Sequence, residues 1–494
     1  MHVTGPIPVT ATSQPFGASM VEGTHAAAML EEYDYVEEEY FASGTCNVYG
    51  PGVKVETVKT GEAFASIKPF SQVMRSGVPY RTRILVIRPR DLAKFSGNVH
   101  AIAFHNVGAG SSVERHILRN GDAWMGIEAS NGTKFGPQET LSGGVAQLHK
   151  FDMARYGELS LPGGLPEDWP DLTPGNLGRI ATTLNFADQN SYPMAVFLQE
   201  IHRGYAQGPD LLSQLAHLLK EGSPSGPLRG AKVRRTFNSG ASGGTTLLTP
   251  YIQHHHDRAM LPDGRPPFDG YLVMVGNQPS NRPKKAVLVF LNSEAEAAGA
   301  ALPLPKNTDE PRFRYYELPS TGHGMSTPAE QLSDTERATQ AGKMAAVLPA
   351  GIVGLTDRGQ SNEYEVYDKV NAPIIWGIWA NMYAWLETGV PMPVAPPITR
   401  DASAPDGLAR DEHGNAKGGI RTPWVEVPEA RYVARISAQN PLTAGMKRFD
   451  AAKIDALYGS REGYVERCRA AVDAMVPGRW IQARDTALMK QSCK

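Results

Sequence analysis

The chain has 494 residues, 41% of them hydrophobic and 20% charged. That balance belongs to a globular protein, and the length suits one large domain or two or three ordinary ones whose core needs no staples. The 49 basic and 51 acidic residues nearly cancel. With no basic run beside them, nucleic acid is not expected as a partner. No apolar stretch approaches the ~18 residues of a transmembrane helix.

The N-terminus, MHVTGPIPVTATSQPFG, lacks a basic start followed by an apolar run, so no signal peptide is expected in it. Residues 35–60 (YVEEEYFASGTCNVY, then VKVETVKT) read as extended hairpins, an N-terminal β extension. Residues 80–88 (YRTRILVIR) read as a strand that stops at Pro89, which has no ladder donor. Two short apolar runs of the buried-strand kind follow, at 99–104 (VHAIAF) and 123–127 (AWMGI), with a helical stretch at 113–120 between them. This alternation predicts an α/β fold with a mainly parallel central sheet flanked by helices.

Residues 128–190, rich in Gly and Pro, read as a loop insertion. Residues 194–205 and 210–221 have amphipathic helical spacing. A strand is expected at 233–237 and a helix at 245–258, the latter interrupted by Pro250. Further strands are expected at 270–275, 286–291 and 312–318, then a strongly apolar helix at 374–386 (IIWGIWANMYAWL). Residues 388–428 are again rich in Pro and Gly, and 444–487 read as two or three short helices. The expected organisation is an N-terminal β extension (1–75), an α/β core (76–390) and a C-terminal extension packing on the core (391–494). Three cysteines, Cys46, Cys468 and Cys493, allow at most one bridge and leave the redox compartment open.

The chemistry centres on NSGASGGTTLLTP, which contains Gly240-Ala241-Ser242-Gly243-Gly244. A G-x-S-x-G alone is weak in a chain with 50 glycines. Here it lies between a strand and a helix, the context a nucleophile elbow needs. Its partners should follow in the order acid, then histidine. Asn292-Ser293-Glu294-Ala295-Glu296 directly follows one predicted strand, and His323 in Ser-Thr-Gly-His-Gly follows the next. Either Glu294 or Glu296 could orient the imidazole and stabilise its charged form. Two backbone donors should cradle the oxyanion, one at Gly243 and one in the 105–110 loop, for which Val107 is the best candidate. His105 beside that loop reads as a packed residue and Trp124 as core. Gly108 and Gly110 do not complete a dinucleotide fingerprint.

His254-His255-His256-Asp257 invites a metal reading. Consecutive helical residues point ~100° apart and cannot converge on one ion. The expectation is therefore a solvated helix end, with no metal site.

Several of these stretches together resemble the branch of the α/β-hydrolase superfamily described mostly as "α/β-hydrolase domain-containing" proteins. YVEEEYFASGTCNVY is similar to its N-terminal hairpin. YRTRILVIRPRD and the loop at Phe104–Val107 resemble its early core. GASGG occupies its nucleophile position and STGHG its histidine loop, and DEHGNAKGGIRTPWVEVP resembles a C-terminal signature. NSEAE stands where the group has Ser/Thr-Glu-x-Asp, so Glu296 replaces the final Asp while Glu294 matches the shared Glu. The short link between the strands at 270–275 and 286–291 leaves little room for the helix expected there. The resemblance runs from about Val21 to the end. It implies a serine hydrolase acting on small carboxylic esters, without cofactor or metal, and it favours export. An amidase or lactonase at the same site, or a silent hydrolase fold that binds a ligand, are the alternatives.

Overall fold

The structure, a computed structural model, describes residues 1–17, 26–51, 69–104, 115–134, 141–165, 169, 172, 192–298, 303–325, 361, 363–437 and 443–494. Its described residues form two compact units. The first holds 1–273 and Asn277–Ala286; the second holds Met274–Gly276, 287–325 and 361–494.

The first unit is built on a sheet of β1 (His2–Thr4), β2 (Tyr35–Tyr49), β3 (Val73–Pro89), β4 (Asn98–Ala103), β5 (Ala123–Ile127), β6 (Arg235–Ala241) and β7 (Gly270–Met274). Their order is β1-β2-β3-β5-β4-β6-β7. β1 through β3 and β5 pair antiparallel, whereas β5–β4 and β4–β6 are parallel. Every residue of β5 is buried, because a strand covered on both faces has no polar side to alternate with. Trp124 packs there with Phe104, Ile102, Leu85 and Ile87, as core.

β2 pairs with the 17-residue β3, Tyr35 opposite Pro89; residues 53–60, the second half of the expected hairpin, lie outside the described residues. Pro89 ends β3, where its missing donor costs no ladder bond. A buried carboxylate ties the pair together. Glu39 on β2 takes Arg83 Nε on β3 and Arg155 Nε, each at 2.6 Å, and the Tyr156 hydroxyl at 2.8 Å. Such a charge stands in a core only because several donors share its desolvation cost.

Helix α1 (Tyr192–Gly204) precedes α2 (Gly208–Glu221), which turns Leu211, Leu212, Leu215 and Leu219 inward. Helix α3 (Thr245–His254) follows β6 and ends at His254, not at residue 258. The histidines beyond it are not solvated, which corrects that expectation. His255 Nε2 meets the Phe70 carbonyl at 3.0 Å. His256 bridges the Tyr271 hydroxyl (2.6 Å) and the Lys284 carbonyl (2.9 Å). Burial pushes the imidazole of His255 down to about 4. Among the described residues no three His, Cys, Asp or Glu gather into a metal-binding group.

The second unit carries β8 (Val287–Ser293) and β9 (Phe313–Leu318), parallel, with Leu288 opposite Phe313 and Ser293 opposite Leu318. Residues 275–286 are turns and bends without a helix, as their brevity requires. Between β8 and β9 comes the one-turn α4 (Glu294–Ala297), and later the apolar α5 (Ala372–Thr388). Gly377 in α5 is required by close approach: a Cβ there would lie 2.1 Å from the Trp480 carbonyl oxygen. The 444–487 tail is not all helical. Gly445–Arg448 is the middle strand of a small antiparallel sheet, followed by α6 (Ala451–Tyr458) and α7 (Arg461–Ala474). A disulfide joins Cys468 on α7 to Cys493, and Cys46 is a buried free thiol.

The Pro- and Gly-rich stretch after α5 is irregular but anchored. Glu317 on β9 receives Arg400 Nη2 at 2.6 Å and the Ile398 N–H at 2.7 Å, and its carbonyl receives the Ile420 N–H at 2.8 Å. No described helix is long and apolar enough to cross a membrane.

Candidate active site

Ser242 follows β6 directly and opens a 3-10 turn, Ser242–Gly244, that runs on into α3. Its φ is +51°, in the left-handed region, which costs a non-glycine residue about 1–2 kcal/mol. The conformation is maintained by its neighbours. The Thr245 hydroxyl donates to the Ser242 carbonyl at 2.7 Å. A Cβ on Gly240 would lie 2.9 Å from the Gly244 carbonyl oxygen, so only glycine lets the strand turn so tightly into the helix. Ser242 is half-buried, and Gly243 beside it lies in the first turn. Amides at a helix start lack intrahelical acceptors and sit at the positive end of the dipole. The turn therefore presents a hydroxyl next to a backbone region suited to negative charge.

The second unit holds the other half of the predicted chemistry. Serine, by capping, starts α4 immediately after β8: the Ser293 hydroxyl accepts from the Ala295 N–H at 3.1 Å. That turn aims Glu296 at His323, with Oε1 2.6 Å from Nδ1. The other oxygen, Oε2, accepts the Ser293 hydroxyl. Burial pushes the Glu296 carboxyl up, but His323 and Ser293 outweigh it and hold the group below its ordinary value. Glu296 is thus an anion at neutral pH. A neutral imidazole donating Nδ1–H to it carries its basic lone pair on Nε2.

Glu294, two residues earlier, points elsewhere. Its Oε1 meets Arg410 Nη1 at 2.6 Å, and its Oε2 accepts the Ser320 N–H at 2.7 Å. It does not reach His323 through either oxygen, so the choice between the two glutamates falls on Glu296 as the imidazole's partner. Arg410, Ser293 and Ser320 were not singled out in the sequence. Arg410 directly precedes the Asp411–Pro428 signature, and Ser293 opens the Ser-Glu-x-Glu run, the only signals that could have drawn attention to them. Val107, His105 and the rest of the 105–110 loop lie outside the described residues.

Along the chain Ser242 follows β6, the Glu294–Ala297 turn follows β8 and the loop that carries His323 follows β9. The chain belongs to the α/β-hydrolase domain family, whose profile it matches over residues 3–491. A comparison with curated proteins finds no match. Among solved structures, a protein named as a dienelactone hydrolase from Klebsiella pneumoniae is 12% identical, covering 62% of this chain and 98% of its own at a TM-score of 0.21. The esterase Est22 is 12% identical over 55% of this chain and 68% of its own, at 0.23. A rice cell wall degrading esterase, LipA from Xanthomonas oryzae, is 9% identical over 50% of this chain and 46% of its own, at 0.19. These likenesses are distant, and family membership rests on the whole-chain match.

Proposed function

We propose that this hydrolase-family chain is a serine esterase acting on small carboxylic esters. Ser242 attacks the ester carbonyl. His323 takes the hydroxyl proton and returns it to the departing alkoxide, leaving an acyl group on Ser242. Water, deprotonated by the same His323, then releases the acid and restores the serine. Glu296 holds the imidazole and stabilises its charged form. The N–H groups of Gly243 and of the loop near Val107 receive the oxyanion, whose donors are worth ~3–4 kcal/mol each in such enzymes. Every atom and charge in this cycle balances with ester, water and these side chains.

The observation that carries the reading is the elbow: a serine kept in a backbone conformation that disfavours it, between a strand and a helix. Strain of this kind persists where the surrounding structure imposes it and function retains it. The paired Glu296 and His323 add support, because a half-buried carboxylate ionised beside an imidazole is the means of preparing a general base.

A fluorophosphonate probe tests the reading, with mass spectrometry to locate the adduct. The native protein is expected to label at Ser242, and Ser242→Ala to remain unlabelled and to lose p-nitrophenyl ester hydrolysis. Anilide and lactone substrates run alongside would move the assignment to an amidase or a lactonase. A folded native protein that neither labels nor cleaves short esters would leave a binding role and end the esterase reading.

A further inference from the structure

The acid turn α4 grips the histidine loop twice. Glu296 holds the imidazole of His323; Glu294 holds the backbone three residues before it, at the Ser320 N–H. Ser320 has φ +65°, so the loop makes a turn that a serine adopts only under constraint. The Thr321 hydroxyl closes that turn on the Leu318 carbonyl at 2.6 Å, and the Ala295 N–H donates to the Thr321 carbonyl at 3.3 Å. Glu294 itself is 1% exposed. A carboxylate so buried takes up a proton unless a cation stands beside it. Arg410 is that cation, its Nη1 on Glu294 and its Nη2 on Asp406.

We propose that Arg410 and Glu294 form a positioning pair that sets the His323 loop, so that a residue of the C-terminal segment controls the general base. The proposal rests on the role given to His323 under Proposed function. Its physical basis is the difference between an ionised and a neutral acceptor: hydrogen bonds to a charged carboxylate are about twice as strong. Burial pushes the Glu294 carboxyl up, and Arg410 and the Ser320 N–H pull it back toward the ionised form that clamps that N–H. Without it, Glu294 protonates and the clamp loosens. The charged and titratable groups that act on Glu294 are Arg410, Asp406 and Tyr367.

The test uses the full chain with Arg410→Met, Arg410→Lys, Glu294→Gln and the Arg410→Met/Glu294→Gln double variant. Two readouts are taken: kcat and KM on a p-nitrophenyl ester across pH, and hydrogen exchange of the peptide covering 318–325. Arg410→Met is expected to lower kcat roughly ten- to hundredfold, the cost of a displaced catalytic group, with KM changed less than about threefold. The deficit shrinks as pH rises and Glu294 ionises again, and the 318–325 peptide exchanges faster. Arg410→Lys restores most of both. In the Glu294→Gln background, Arg410→Met costs less than about twofold more and its penalty no longer depends on pH, since the two residues act through one interaction.

A brace with no bearing on His323 would give a lower melting temperature with kcat, pH profile and exchange at 318–325 unchanged, and would overturn the proposal. So would the full Arg410→Met penalty persisting in the Glu294→Gln background. Should Arg410→Met not fold, Glu294→Gln supplies the comparison, since it leaves a neutral acceptor on the Ser320 N–H, and unchanged kcat, pH profile and exchange at 318–325 in that variant would overturn the proposal. Should the native protein neither label nor turn over, the esterase reading falls by itself, and exchange at 318–325 alone decides whether Arg410 holds the loop.

Discussion

Glu294 and Glu296 sit on one helical turn, yet their surroundings set them apart. Glu294 is buried against an arginine and a backbone amide, and burial leaves its carboxyl above the ordinary value. Glu296 faces an imidazole and a hydroxyl that together hold it below. If Glu296 is the triad acid, Glu296→Gln should cost about 10⁴ in kcat, as in other triads with the acid amidated. Glu294→Gln should cost far less, roughly ten- to hundredfold, with Ser242 still labelled at a reduced rate. Equal losses in the two variants would undo the assignment. Stability carries a matching signature. Because the folded value of Glu296 lies below the usual 4.5, its ionised form stabilises the fold fully above that value. This contribution is lost as pH falls through the depressed value. The melting-temperature gap between the native protein and Glu296→Gln should therefore be largest at neutral pH and close on acidification.

At the scale of elements, the turn between β6 and α3 holds a serine in a backbone conformation that disfavours it. Ser242→Gly removes a side chain from a left-handed backbone and should raise the melting temperature, by the equivalent of about 1 kcal/mol, while abolishing fluorophosphonate labelling. Gly240→Ala acts in the opposite direction. Its Cβ would meet the Gly244 carbonyl oxygen at 2.9 Å, so the turn between β6 and α3 must open. Slower labelling of Ser242 should result, out of proportion to any loss of stability. A Gly240→Ala protein that labels at the native rate would show that the turn has slack that its geometry does not suggest.

On the scale of the whole molecule, the second unit's C-terminal part is held by a covalent tie as well as by packing. The Cys468–Cys493 bridge spans 25 residues, a loop whose closure is worth about 3–4 kcal/mol on chain-entropy grounds. The remaining thiol, Cys46, is buried, and burial pushes it up to about 12. Thiol titration of the oxidised protein should find no reactive group when native and one when denatured, and three after reduction. The reduced protein should melt lower. Two or more thiols in the oxidised, denatured chain would mean that the bridge does not form.

Much of this was legible in the residues alone. Apolar runs too short for helices marked the strands at 99–104 and 123–127, and GASGG marked the tight strand-to-helix turn at Ser242, because local sterics decide both. The placement of Ser242, the Glu294–Glu296 turn and the His323 loop was also readable, since each lies directly after a strand. What sequence spacing could not decide was direction. Spacing from the strand favours Glu296 and the family pattern keeps Glu294, and only packing sends one to Arg410, 116 residues away in the chain, and the other to His323. The pairing of β2 with β3 and the burial of His255 and His256 were likewise out of reach. Each depends on a partner remote in the chain, and desolvation energy has no meaning until that partner is in place.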